Sequence, residues 1–274
     1  MQTFQLGPVS CLASVWRNRQ LCVALIRREV VGRYRGSMLG LFWSLFNPVL
    51  MLLVYTFVFS VIFKQRWSQS LGESQAEFAL ILFAGLMVFN LFAECVNRAP
   101  GLVLSQANYV KKVVFPLEIL PWVSLGSAIF HTGVSLLVWG LFYCVLVGDL
   151  PPWTALLFPI ILLPVVGVVM GLSWFLAALG VYVRDVSQVV GLLVTVLMFL
   201  SPIFYPVTAI PEEYREVLQL NPLTISIEQA RMILIGGAYP DLPQFTIQLL
   251  VSFVVASLGY AWFQKTRKGF ADVI

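Results

Sequence analysis

Runs of roughly twenty apolar residues recur along this chain, and an α-helix needs about that length to cross some 30 Å of bilayer hydrocarbon. Six segments qualify, approximately Leu41–Phe63, Phe78–Asn97, Leu117–Val147, Trp153–Val181, Gln188–Tyr205 and Gln244–Phe263. The third is long enough to be tilted, or broken near His131. Backbone polar groups surrounded by lipid must bond within their own segment, so the runs predict an all-α integral membrane protein with six transmembrane helices. Composition agrees, since 59% of the 274 residues are hydrophobic and 11% charged, against about a quarter charged in a soluble domain. The same figures exclude a disordered chain, which needs low hydrophobicity and high net charge. Residues 41–274 therefore read as one membrane domain, preceded by a cytoplasmic segment at residues 1–40.

The basic residues suggest an orientation. Arg17, Arg19, Arg27, Arg28, Arg33 and Arg35 precede the first span, and with Arg98, Lys111, Lys112, Arg184, Lys265, Arg267 and Lys268 they put thirteen of the 17 lysines and arginines on one side. Lys64, Arg66, Arg215 and Arg231 are left for the other. By the positive-inside rule both termini are expected in the cytoplasm. A cleavable signal peptide is not expected, because the first apolar run follows a long arginine-rich stretch. The formal charge of +4 is scattered over the ends and short loops rather than gathered on one module, which argues against nucleic acid as a partner. Four cysteines, Cys11, Cys22, Cys95 and Cys144, lack metal-ligand spacing, and no metal site is expected.

Three stretches outside the spans are informative. Between Ser10 and Met38, Trp16, Leu21, Val23, Leu25, Ile26 and Val30 alternate with six arginines, as in an amphipathic helix lying in the headgroup layer and attracted to membrane lipid. Gly32, Gly36 and Gly40 would fall on one face if that helix continued, allowing a close approach or a hinge. Gly167 and Gly171 repeat the spacing inside the fourth span, where helix packing explains it. The loop RAPGLVLSQANYVKKVVFP from Arg98 to Pro116 suits a short cytoplasmic surface helix, although a basic loop that merely sets topology would have the same composition. From Ser201 to Asp241, Pro202, Pro206, Pro211, Pro222 and Pro240 interrupt a persistently apolar segment. Broken apolar backbone at membrane depth must be covered by protein or line a cavity, so two short re-entrant helices beside a pathway are expected between spans five and six, although a plain extracytoplasmic loop would share these residues.

Chemistry is mostly missing. None of the five lysines sits in a G-x-x-x-x-G-K-[ST] phosphate loop, so the chain is not expected to bind ATP in that way, and H-E-x-x-H, C-x-x-C and G-x-S-x-G are absent as well. His131 has no carboxylate near it in sequence and reads as an interhelical hydrogen-bonding group rather than a proton relay. Glu94 and Glu118 lie toward the ends of their spans, away from the midplane where proton-driven carriers place acids. Aromatics make up 14% of the chain. Met51, Tyr55, Phe59 and Phe63 form a slowly winding stripe at four-residue steps, and Phe199, Phe204 and Tyr205 cluster at the end of the fifth span. Such faces can stack on sugar rings and let a polymer slide, so Tyr55, Phe59, Phe199, Phe204 and Tyr205 are candidate channel-lining residues. Lipid-facing aromatics would produce the same pattern.

Three passages carry a resemblance over nearly the whole chain: RREVVGRYRGSMLGLFWSLFNPVLML at 27–52, YVKKVVFPLEILP at 109–121 and LSPIFYPVTAIPEEYREVLQLNPLT at 200–224. In these the chain resembles the permease subunits of ATP-binding-cassette exporters for bacterial polysaccharides, namely O antigen, group 2 capsule and teichoic acid. The resemblance implies a non-enzymatic six-span subunit of the bacterial inner membrane that forms a homodimer. It implies that two copies of a separate nucleotide-binding subunit carry ATP and magnesium, with no cofactor in this chain, and that the cargo is a lipid-linked glycan. It further implies an ATPase-coupling helix at about 101–115 with Tyr109, Lys111, Lys112 and Phe115, a cytoplasmic gate with Glu29, Arg33 and Arg35, and a gate region on the far side at about 201–241. An exporter of small lipophilic molecules would share this architecture. A membrane glycosyltransferase would need clustered catalytic acids, and Glu212, Glu213 and Glu216 read more simply as a solvated helix face.

Overall fold

A computed structural model describes residues 8–58, 75–106, 115–219 and 221–274, and among these every regular element is helical. The main helices are α1 (Pro8–Arg17), α2 (Arg19–Arg33), α3 (Phe42–Tyr55), α4 (Gln75–Arg98), α5 (Leu120–Val147), α6 (Leu163–Tyr182), α7 (Val186–Leu200), α8 (Glu212–Gln219), α9 (Thr224–Leu234) and α10 (Leu242–Thr266). Short helical turns lead into α6 and follow α10.

Four helical stretches are long and apolar enough to cross a membrane: Glu77–Gly101, Leu117–Val147, Trp153–Tyr182 and Leu242–Val273. These correspond to the second, third, fourth and sixth expected spans. The third runs unbroken through His131 and stops at Gly148, whose φ of +79° supplies the left-handed cap that ends a helix. The first and fifth are shorter, Phe42–Val58 and Val186–Leu200. Helix α7 ends before the expected Tyr205 because Ser201 turns extended ahead of Pro202, as the residue before a proline tends to. Residues 59–63 of the first expected span lie outside the described residues, as does Phe59.

The N-terminal segment also departs from expectation. It forms two helices that meet at Asn18, and the second ends at Arg33. Gly36 and Gly40 have φ of +88° and +50°, so the helix does not continue through them. Gly32 lies in the last turn of α2 and Gly36 and Gly40 in the turn between α2 and α3; nothing lies within 4 Å of where a Cβ would sit at any of them, so among the described residues they do not form a packing face.

Helix α4 is the centre of the molecule. Its residues from Phe78 to Phe92 are almost all buried, and α3, α5, α6, α7 and α9 pack around it. Glu77 in its first turn and Arg98 in its last complement the helix dipole. The most extensive pairing joins α6 to α10, where Gly167 and Gly171 face Ser252 and Val255, and Gly259 faces Gly171. The small residues of α6 thus serve helix packing, as their spacing indicated. Exposed leucines and valines remain on α7 (Leu192, Leu193, Val196) and α10 (Leu250, Val251, Val254), the surfaces a bilayer would cover.

Candidate functional site

A cleft of about 830 Å³ opens between α3 and α4 and reaches the end of α2 and the middle of α5. Helix α3 contributes Ser44, Asn47, Pro48, Met51 and Tyr55, positions three or four apart that share one helix face. Helix α4 presents Met87, Asn90, Glu94 and Asn97, with the same periodicity. The walls are mixed, apolar toward Phe83 and Leu86 and increasingly polar toward Arg98.

Charge gathers at the polar end. Arg33 Nη1 donates to Glu94 Oε1 at 2.7 Å, and Arg98 approaches the same oxygen at 3.7 Å from one turn along α4. Arg98 also pairs with Glu29 of α2. His131 Nδ1 lies 3.1 Å from both Glu94 oxygens and 2.9 Å from Arg33 Nη1. One nitrogen cannot donate to a carboxylate and accept from a guanidinium at once, and Glu94 already accepts from Arg33. The consistent assignment has Nδ1–H donating to Glu94 while Nε2 accepts from the Tyr34 hydroxyl at 3.3 Å. Burial pushes the Tyr34 phenol above its ordinary value, so it takes part as a neutral O–H donor. Helices α2, α4 and α5 are thereby tied together by one network across the polar end of the cleft.

Of the three gate residues expected from the resemblance, the network includes Glu29 and Arg33. Arg35 is exposed beyond the end of α2, outside the network. Glu94 and His131 are the members that sequence reading missed as a pair, because 37 positions separate them. The available signal was their rarity, an acid and the sole histidine set within otherwise apolar segments.

The aromatic candidates divide. Tyr55 lines the cleft one turn from Met51. Phe199, Phe204 and Tyr205 form a separate group around the end of α7, with the two phenylalanine rings stacked at 6.1 Å and the Tyr205 hydroxyl donating to the Phe199 carbonyl at 2.9 Å. The Ser201–Asp241 region holds α8, which exposes Glu212 and Glu213, and α9, which is buried against α4.

Tyr109, Lys111 and Lys112 of the expected coupling helix lie outside the described residues. Phe115 is described and buried. Its carbonyl accepts from Arg267 at 2.9 Å, and the same guanidinium donates to Glu118 at 2.6 Å. Ser14 of α1 donates to the other Glu118 oxygen at 2.9 Å. Glu118 thus joins α1, the end of α10 and the chain just after the 107–114 stretch. A wide hollow of about 800 Å³ on the outer face of α2, lined by Arg19, Arg27 and Arg28, is open surface. Among the described residues no cluster of His, Cys, Asp and Glu could hold a metal ion.

A family model described as "ABC-2 type transporter" matches residues 20–235. An O-antigen export system permease protein RfbA of Myxococcus xanthus is 29% identical over 97% of this chain and 100% of its own length. A protein of the same description from Klebsiella pneumoniae is 25% identical over 93% of this chain and 95% of its own. The polysialic acid transport protein KpsM of Escherichia coli is 23% identical over 89% and 92%.

Proposed function

Because the chain belongs to the ABC-2 type transporter family, we propose that it is the permease subunit of an ATP-driven exporter that moves a lipid-linked polysaccharide, such as an O antigen or capsule, across the bacterial inner membrane. The observation that carries this reading is the cleft between α3 and α4: it is polar where Glu94, Arg98, Arg33 and His131 meet, lined by Tyr55 and Met51 further along, and open along one side. One copy supplies half a conduit. A second copy completes it, so the working permease is a homodimer of six-span subunits with both termini in the cytoplasm.

In this arrangement the ion network lies at the cytoplasmic mouth, α1 and α2 rest on the membrane surface, and the 201–241 region forms a re-entrant gate on the far side. Lys111 and Lys112 dock on a separate ATPase, two copies of which bind ATP and magnesium. Nucleotide drives export only if its binding favours one arrangement of the dimer over the other. The link from the docking segment to the bundle passes through Phe115 and Glu118, which follow it in the chain, and through Arg267 at the end of α10, which donates to both.

The test is reconstitution of the chain with its ATPase partner in liposomes. A lipid-linked glycan should raise ATP turnover, and small lipophilic compounds should not. Stimulation by the lipophilic compounds alone would transfer the reading to a drug exporter. Nucleotide hydrolysis by this chain without a partner would remove it from the permease class.

A further inference from the structure

Arg231 was counted above among the few basic residues of the far side, as a loop charge would be. The structure puts it inside α9 with 7% of its side chain exposed. Its guanidinium donates to three backbone carbonyls on two other segments: Ile81 of α4 at 3.2 Å, Pro202 at 2.6 Å and Ile203 at 2.7 Å. Glu228, one turn earlier on α9, neutralises it at 3.0 Å. The sequence makes room for this reach. Gly85 lies one turn beyond Ile81 on α4, and a Cβ there would come 2.9 Å from Arg231 Nη2.

The carbonyls it holds have a particular position. Helix α7 ends at Leu200, so the Pro202 and Ile203 carbonyls lie in the turn just beyond it, near the negative pole of the helix dipole. Arg231 therefore fixes the turn at Pro202 and Ile203, just past the end of α7, against α4. The residues on either side of that turn, Phe199, Phe204 and Tyr205, fold back on one another.

We propose that Arg231 is the positioning residue that keeps the far-side gate shut, by clamping the Pro202–Ile203 turn to α4 so that Phe199, Phe204 and Tyr205 stay in their closed grouping. This rests on reading 201–241 as the gate. Opening the gate then requires the guanidinium to release at least the two turn carbonyls. A lysine cannot replace it, because one ammonium does not reach three carbonyls arranged around a planar fork.

The test uses the assembled exporter in liposomes without nucleotide, with leak of trapped carboxyfluorescein measured per complex that elutes as the wild-type assembly. Loss of buried charge-assisted bonds that hold the closed state should raise the open population about tenfold or more, so R231M should leak at least that much faster and R231K by less. G85A leaves the charge in place and displaces the guanidinium, and it decides the matter if R231M fails to assemble; it should also leak. A merely structural arginine would lower the yield of assembled complex without changing leak per complex, and that result overturns the proposal. F204A separates the clamp from the gate. If F204A leaks while R231M and G85A stay tight, the clamp is wrong and the gate reading stands; if F204A is tight too, the gate reading falls with it.

Discussion

Replacing Gly171 by alanine should test how the two longest-paired helices are held together. A Cβ at Gly171 would lie 2.6 Å from the Val255 carbonyl carbon and 2.9 Å from the Ala256 nitrogen. A Cβ at Gly259 would lie 2.7 Å from the Gly171 backbone. The obstacles are backbone atoms, which cannot rotate aside, so α6 and α10 must part by about 1 Å to restore ordinary contact. Forcing a methyl into packed structure costs about 1–3 kcal/mol. Alanine also gains up to about 1 kcal/mol over glycine in helix propensity, which the control must share. Gly140 of α5 supplies it, since nothing lies within 4 Å of its Cβ position. Relative to G140A, both G171A and G259A should be destabilised by the packing cost, which lowers the apparent melting temperature by about 2–12 °C. The double variant should fall by less than the sum, because the second methyl enters a gap that the first has opened. Tryptophan fluorescence during a thermal ramp in detergent reads all four proteins. If G171A and G259A melt as high as G140A, the glycine contact does not set the helix separation.

Three further variants probe the site. E94Q removes the carboxylate that Arg33 and His131 share; because Arg33 is nearly half exposed, the stability loss should stay within about 1 kcal/mol, but amide exchange in the last turn of α2 should quicken, and an unchanged rate would show that the network does not hold α2. Charge reversal in K111E/K112E should abolish glycan-stimulated ATP turnover in an assembly that still elutes normally, and full stimulation would dismiss these lysines as the docking point. Arg267→Met strands Glu118 in a mostly covered site and should cost about 2–4 kcal/mol, somewhat below a fully buried pair. Adding E118Q should recover part of that loss in a thermal melt, whereas simple additivity would mean that the two groups are independent.

The membrane class, the helical content and the missing phosphate loop were legible in the sequence because each depends on local properties. An apolar run of sufficient length has few alternatives to a helix in lipid, and a loop motif is present or absent without reference to the fold. The Gly167 and Gly171 spacing was readable for the same reason, since helical periodicity puts them on one face wherever the helix goes. For Gly32, Gly36 and Gly40 the shared face fails, because that spacing assumes a continuing helix and α2 stops at Arg33, whereas a hinge is compatible with the positive φ of Gly36 and Gly40.

What the sequence could not determine is which polar group meets which. Glu94 finds His131 across 37 positions, Glu118 finds Arg267 across 149, and Arg231 finds Ile81 across 150. Arg231 shows the difference most plainly, since as one of four basic residues on the far side it counted only toward topology. Inside a packed interior a guanidinium must spend its donors on whatever acceptors lie within about 3 Å, and those were supplied by a helix end and a neighbouring helix. Distance along the chain says nothing about that; only the packing of α4, α7 and α9 decides it.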